Sequence, residues 1–410
     1  LLDEKKLELY LLIPFCIQKC YYCDFLSMPA EESIRRHYVN MLIKEIKMQA
    51  RNCKEYQVSS IFFGGGTPSI LEGTQILELM QTLMQNFNVE KEAEITIECN
   101  PGTLTEQKLS IYKNSGINRL SIGLQSVNNM ELKQLGRIHT FEQFLQNYKL
   151  ARKIGFENIN VDLIFSLPKQ TLADWEYTLK KVIMLNPEHI SAYSLIVEEG
   201  TKFYEKYEED EHRREQGLQP QYLPEEEIER NMYELTCQML EEKGYIQYEI
   251  SNYAKPKKEC KHNIGYWQLV SYLGLGLGSA SFLEQIRFTN TTDLNAYLQG
   301  KFINIKDILY YFNSSLYTNL PRKKSAISDA CVLLSKKEQM EEFMFLGLRM
   351  IKGVSKQAFQ EKFGIEMEKI YGKVLQKLKC QSLLEEAAGK IYLTKNGISV
   401  SNYVLSEFLL

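Results

Sequence analysis

The sequence predicts an α/β protein: an open barrel segment built on a parallel sheet, followed by a smaller, mostly helical unit. Two observations carry this expectation. Through the first half of the chain, six short apolar runs alternate with amphipathic stretches whose apolar residues recur three and four positions apart. That is the pattern of strand–helix units wound around a parallel sheet. In the last 70 or so residues the spacing turns helical and closes on a short hairpin-like stretch, "EEAAGKIYLTKNG".

The strand candidates are "LELYLLI" (7–13), "VSSIFF" (58–63), "EITIE" (94–98), "RLSIG" (119–123), "INVDLIF" (159–165) and "HISAYSLI" (189–196). Between them lie helix-like stretches such as "SIRRHYVNMLIKEIKMQ" (33–49) and "TQILELMQTLMQNF" (74–87). Six units are too few to close an eight-unit barrel but enough for an open segment of one. The charged run at 204–229 reads as a solvated loop and helix cap. A mixed region follows, with "YEISNYAKPKKECKHNIGYW" (248–267) and the glycine-rich "YLGLGLGSASF" (272–282). The C-terminal pattern is that of a winged-helix-like module, read as structural because its charge is mixed.

A net charge of −3 gives no basic footprint for nucleic acid. The early run "LELYLLIPF" is too short to span a bilayer and is broken by Pro14. Nine cysteines, an odd number, point to a reducing cytoplasm rather than a disulfide framework. Five of them, Cys53, Cys99, Cys237, Cys331 and Cys380, read as small core or surface residues. His37 and His212 sit among charges and read as solvated.

Three cysteines are crowded into "IPFCIQKCYYCDF", as Cys16, Cys20 and Cys23. A CxxxCxxC loop can set three thiolates around three corners of an iron–sulfur cube. Soft thiolates suit iron–sulfur and zinc and do not suit magnesium or calcium. Three ligands leave one iron open for a substrate; a zinc site completed by Cys53 or Cys99 is the alternative on ligand type. A second signal, "IFFGGGTPS", sets Gly64, Gly65, Gly66 and Thr67 directly after a strand, where bare backbone N–H groups can meet a carboxylate.

CxxxCxxC followed by GGGTP resembles the radical S-adenosylmethionine (SAM) superfamily. The resemblance implies a partial (β/α)6 barrel, in agreement with the six strands read independently. It also implies a [4Fe–4S] cluster whose open iron chelates SAM and reductively cleaves it. The further segments "EITIECNPGTL", "RLSIGLQSVNNMELKQLGRIH", "NVDLIFSLPKQT", "HISAYSLIVEEGT", "HNIGYW", "RFTNTTDLNAYL" and the C-terminal "EEFMFLGLRMIKGVS" resemble one family within it, across essentially the whole chain. This is the family of oxygen-independent coproporphyrinogen III oxidases and their haem-chaperone branch. It implies a core at 1–200, an extension carrying an HNxxYW motif at 201–300 and a helical domain at 301–410.

Carried onto matching positions, the resemblance implies a SAM site of Tyr10, Gly65, Gly66, Thr67, Glu98, Gln125, Arg137 and Asp162. Most of these lie in or just after strands, where parallel barrels bind ligands. Read from residues alone, Glu98 could cap a turn and Arg137 could be a surface arginine. Asp162 inside an apolar strand is harder to dismiss, because an unpaired buried carboxylate is costly.

In "HNIGYW", His262 is the leading haem-ligand candidate, with Cys260 as a thiolate alternative; a turn cap at His262 and core packing at Trp267 are the plainer reading. Two departures from relatives stand out: Leu12 replaces a histidine, and "GSAS" (278–281) replaces a stretch with another.

The oxidase branch carries a substantial segment ahead of its cysteines. Here the first is Cys16, which favours the chaperone branch. The expected function is therefore a haem chaperone with a SAM-coordinating [4Fe–4S] cluster, passing haem as cargo to an acceptor protein. The oxidase, converting propionates to vinyls, is the second reading, and a radical SAM methyltransferase or haem-degrading relative the third. The expected protein binds no nucleic acid and meets membranes only transiently, through acceptor proteins. It is a monomer or a cluster-dependent dimer.

Overall fold

Strand β1 (Lys5–Ile13) shows why the barrel forms. Leu7, Leu9, Leu11 and Ile13 are fully buried on one face, and the alternate residues Glu8, Tyr10 and Leu12 turn the other way. The parity recurs in β2 (Tyr56–Gly65), β3 (Asn88–Cys99), β4 (Arg119–Gln125), β5 (Ile159–Phe165) and β6 (His189–Ser194). Ile61, Ile97, Ile122, Val161 and Ile190 lie in the apolar core shared with the surrounding helices, whereas Ser60, Thr96, Ser121, Asp162 and Ser191 have the opposite parity and face inward. The helices are α1 (Glu32–Ala50), α2 (Gly73–Asn86), α3 (Glu106–Asn114), α4 (Asn129–Gln134), α5 (Phe141–Ile154) and α6 (Leu172–Met184). Each of β1 to β6 pairs in parallel with the next, so this computed structural model has the expected six-unit parallel core. It describes residues 5–317 and 331–410, without the side chains of 313–317.

The charged run differs from expectation. It forms α7 (Lys202–Glu215), with Phe203, Tyr207 and Asp210 buried, and leads through a loop into α8 (Glu226–Glu241). Asp210 accepts the backbone N–H groups of Gln221, Tyr222 and Leu223 at 2.6–2.8 Å, so an acidic run that looks solvated is tied down by one inward carboxylate. His37 and His212 are exposed, as expected.

The sheet continues past both edges of the core. β8 (Asn252–Ala254) adds antiparallel to β6, and β7 (Ile246–Glu249) adds antiparallel to β8. The chain then crosses through α9 (Lys261–Trp267) to β9 (Tyr272–Leu275), which pairs in parallel with β1. β10 (Ala280–Leu283), β11 (Ile286–Thr289) and β12 (Cys331–Leu333) extend that edge into a 12-stranded sheet. α9 lies across the interior against Glu8: a Cβ on Gly265 would meet the Glu8 carboxylate oxygen at 1.9 Å, so only glycine allows this approach.

A second core, from Met340 to Phe408, belongs to the C-terminal unit. Its helices Lys336–Gly347, Lys356–Phe363 and Met367–Cys380 pack on a small sheet of β13 (Val354–Ser355), β14 (Leu384–Ala387) and β15 (Lys390–Leu393). Ala388 and Gly389, with φ of 49° and 72°, make the two-residue turn of the expected hairpin. Ile305, Ile308 and Phe312 belong to the larger core, past the expected boundary at 301. Among the described residues, no helix is long and apolar enough to cross a membrane.

Candidate cluster and cofactor site

The cysteine loop leaves the end of β1. A bridge between Phe15 and Met28 closes it, with Cys16 N–H donating to the Met28 carbonyl at 3.1 Å and Met28 N–H to the Pro14 carbonyl at 2.9 Å. Its other side is held on residues 135–136: Tyr21 N–H donates to the Leu135 carbonyl at 3.0 Å and the Gln18 amide to the Gly136 carbonyl at 3.3 Å. Cys16, Cys20 and Cys23 are all half-buried. Burial, and then the neighbouring thiols, push Cys16 and Cys23 up, while Thr67 and Ser27 pull Cys16 the other way.

Cys16 Sγ lies 3.3 Å from Thr67 Oγ1, and Arg137 Nη1 donates to Cys20 Sγ at 3.5 Å. A small cleft of about 10 Å³ lies between Cys20, Thr67, Asn100 and Arg137. Among the described residues, no three His, Cys, Asp or Glu side chains converge on a single ion. A cube takes each thiolate on a separate iron, so three thiols spread along a loop beside a guanidinium fit an anionic [4Fe–4S] cluster. They do not fit the zinc alternative, since Cys53 and Cys99 are packed in the larger apolar core.

The glycine run after β2 meets this loop. Gly66 N–H donates to the Ile13 carbonyl at 2.9 Å, and a Cβ on Gly66 would come within 2.8 Å of the Phe15 carbonyl oxygen and 3.0 Å of Cys16 Sγ. Gly65 N–H donates to Glu98 at 3.2 Å. Burial, then the nearby Asp162, pushes Glu98 up to about 8, with the Gly65 N–H and Arg119 opposing. Asp162 is also held above its ordinary range by burial, against the pull of Ser191, Asn160 and Ser121. It accepts from Ser121 at 3.0 Å and from Asn160 at 2.7 Å.

The Arg137 guanidinium donates to Asn100 and, at 2.6 Å, to the Gly123 carbonyl. The Gln125 amide crowds the same face of Gly123. Tyr10 stacks on Phe62 with centroids 5.9 Å apart and lies in the field of Glu98. Of the eight expected SAM residues, Gly66, Thr67 and Arg137 touch the cysteine loop, Gly65 packs on the end of β1, and Tyr10, Glu98, Gln125 and Asp162 lie on β1, β3, β4 and β5. Leu12, where the resemblance leads one to expect a histidine, packs against Gly65, and Ala280 of "GSAS" is exposed on β10.

The expected haem ligands are placed differently. His262 is 1% exposed, with Nδ1 2.8 Å from Ser60 Oγ and Nε2 3.1 Å from Tyr266 Oη. Cys260 is fully buried and its thiol donates to Glu94 at 3.4 Å. In this fold neither presents a lone pair to a ligand arriving from solvent.

Both belong to a buried polar floor that sequence reasoning missed. Arg119 lies in the field of Cys260, Glu94, Tyr248 and Asp162. His189 bonds to Asn160 at 2.6 Å and to Tyr248 at 2.8 Å, and Asn160 reaches Asp162 above it. The available signal was charge at inward parity in strands, at Glu8, Glu94 and Arg119. Asn100, the Arg137 partner, was legible only as a turn residue.

A fold and site of this kind define a class: a partial parallel barrel with a three-cysteine loop at the strand ends. The family model described as the Radical SAM superfamily matches residues 10–182, and that of the HemN C-terminal domain matches 334–400. The protein called Heme chaperone HemW from Lactococcus lactis is 35% identical, covering 99% of this chain and 98% of its own. That of Bacillus subtilis is 35% identical over 98% of each chain. A solved structure, "Coproporphyrinogen III oxidase (HemN) from Escherichia coli", superposes with a TM-score of 0.78 at 23% identity, covering 99% of this chain and 90% of its own. The chain belongs to the radical SAM superfamily and, within it, to the family of the HemW proteins.

Proposed function

We propose that this protein is a haem chaperone that holds a [4Fe–4S] cluster on Cys16, Cys20 and Cys23 and SAM beside it. The observation that carries this reading is the match to proteins named Heme chaperone HemW over nearly the full length of both chains. The likeness to the oxidase structure, at 23% identity, speaks for the fold.

When bound, the cluster supplies a low-potential electron and an open iron for the amino-acid end of SAM. The chain's own residues do the positioning. Gly65, Gly66 and Thr67 bring the chain close against the cluster loop, with the Gly65 N–H held by the Glu98 carboxyl group and the Gly66 N–H by the Ile13 carbonyl. Asp162, fixed by Ser121 and Asn160, is an acceptor pair suited to ribose hydroxyls. Arg137 places positive charge beside Cys20 and ties β4 to the loop, and Tyr10 with Gln125 walls the site. Haem is cargo, passed to an acceptor protein.

Anaerobic reconstitution followed by addition of SAM, reductant and coproporphyrinogen III tests the reading. Deoxyadenosine release establishes a competent cluster. Haem binding by that same preparation, with no decarboxylated porphyrinogen by mass spectrometry, is the expected result. Turnover to vinyl product overturns it in favour of the oxidase.

A further inference from the structure

Outside the barrel, against the cysteine loop, a groove of about 480 Å³ lies between α1, α3 and the start of α2. Ile17, Ile70 and Ile111 give it an apolar lining, and Arg35 and Lys108 give it two cations. Ile17 follows Cys16 directly, is 55% exposed, and also lines the space at the cluster loop, so the two openings adjoin.

Both cations are half-buried. Arg36, the next residue, pairs with Glu78 at 2.7 Å, and Arg152 and Arg287 likewise pair with carboxylates at 2.8 Å. Arg35 and Lys108 form no ion pair among the described residues; Lys108 Nζ reaches only the Ser69 carbonyl, at 3.3 Å. The one lining carboxylate, Glu72, accepts an N–H of the first turn of α2 in a capping box. Burial, with the nearby Arg35 adding to it, holds Lys108 below its ordinary range against the pull of Glu72.

Two neighbouring cations without carboxylate partners, beside an apolar wall, match a flat apolar molecule bearing two carboxylates. We propose that this groove seats the haem cargo, with Arg35 and Lys108 on its two propionates and Ile17, Ile70 and Ile111 against one face of the ring. The inference rests on the haem-carrying reading above and deepens it. None of the lining side chains is His, Cys or Met, so the groove holds the macrocycle by its ring and carboxylates. The iron is then left to a ligand from the acceptor protein, which suits a carrier that must let go.

The test is a haem titration, followed at the Soret band, of the cluster-loaded full chain and of Arg35→Gln/Lys108→Gln. Each is titrated with haem and with haem dimethyl ester, whose propionates carry no charge. Wild type is expected to prefer the free acid by about tenfold or more, and the double variant to lose that preference. Iron content and thermal midpoint of the variant serve as folding controls. Should the double variant unfold, each single variant is expected to lose part of the preference. A variant that keeps wild-type affinity and preference overturns the groove and leaves the chaperone reading standing. Absence of haem binding by wild type overturns that reading and the groove with it.

Discussion

At the scale of single residues, Gly66 carries the closest contact between the two motifs of the site. A methyl there must occupy space held by the Phe15 carbonyl and Cys16 Sγ, both at or under 3.0 Å, and neither is the free end of a flexible side chain. Gly66→Ala is therefore expected to keep the fold, read by circular dichroism, and to lose most of its iron and acid-labile sulfide on reconstitution. Wild-type cluster occupancy would show that the loop tolerates displacement. His262 gives the opposite kind of prediction. Its ring fills core beside Phe62, with centroids 5.1 Å apart, and bonds to Ser60 and Tyr266. Removing it opens a cavity and strands two hydroxyls, a loss of about 2–4 kcal/mol. His262→Ala should lower the midpoint of thermal or urea unfolding while leaving haem affinity unchanged; a stable variant that no longer binds haem would restore the ligand role.

At the scale of elements, the six core strands were legible because each buries one apolar face against helices, which writes the same alternation into every strand. The cysteine loop was legible because its ligands are contiguous. The edges were not: β7 to β12 are three or four residues long, and the pairings that attach them to the core join sequence-distant partners, such as Leu9 with Leu273 and His189 with Ala254, so no local period announces them. The polar floor escaped for a related reason, since Arg119 or Glu94 in sequence marks only a break in an apolar run. The α7 segment shows how a single residue can reverse a composition-based reading. Burial pushes Asp210 up, but three backbone donors outweigh it and leave the carboxyl below its ordinary value. Asp210→Ala would strand those donors, easing local opening of the 216–225 loop by about 2 kcal/mol or more. The expected readout is amide exchange and limited proteolysis there roughly thirtyfold faster, with the global unfolding midpoint little changed. Unaltered exchange in that loop would mean other contacts hold it.

At the scale of the whole molecule, buried acids and buried histidines set opposite pH dependences of stability. Burial pushes Glu8 up to about 9, with Glu94 adding to it, Glu45 up to about 7 and Glu98 up to about 8. For such groups the folded protein keeps protons that the unfolded chain releases near 4.5, so stability falls as pH rises from there through the folded values. Burial holds His139 and His262 down at about 3, and His189 below its ordinary range. For these the unfolded chain takes up protons below 6.5 that the folded protein refuses, so stability falls as pH drops from 6.5 toward 3. Between 4.5 and 6.5 the two slopes oppose; above 6.5 only the acids remain. The thermal midpoint is therefore expected to fall by roughly 5 °C or more between pH 6.5 and pH 8.5. Glu8→Gln, which removes the titrating group and keeps its shape, should flatten that decline. Glu8 Oε2 makes no hydrogen bond among the described residues, so the variant gives up no acceptor at that atom. A midpoint that holds steady or rises from pH 6.5 to 8.5 would mean that the interior admits enough water or counter-charge to ionise its acids. The floor beneath the cofactor site would then be a solvated surface rather than a neutral, hydrogen-bonded core.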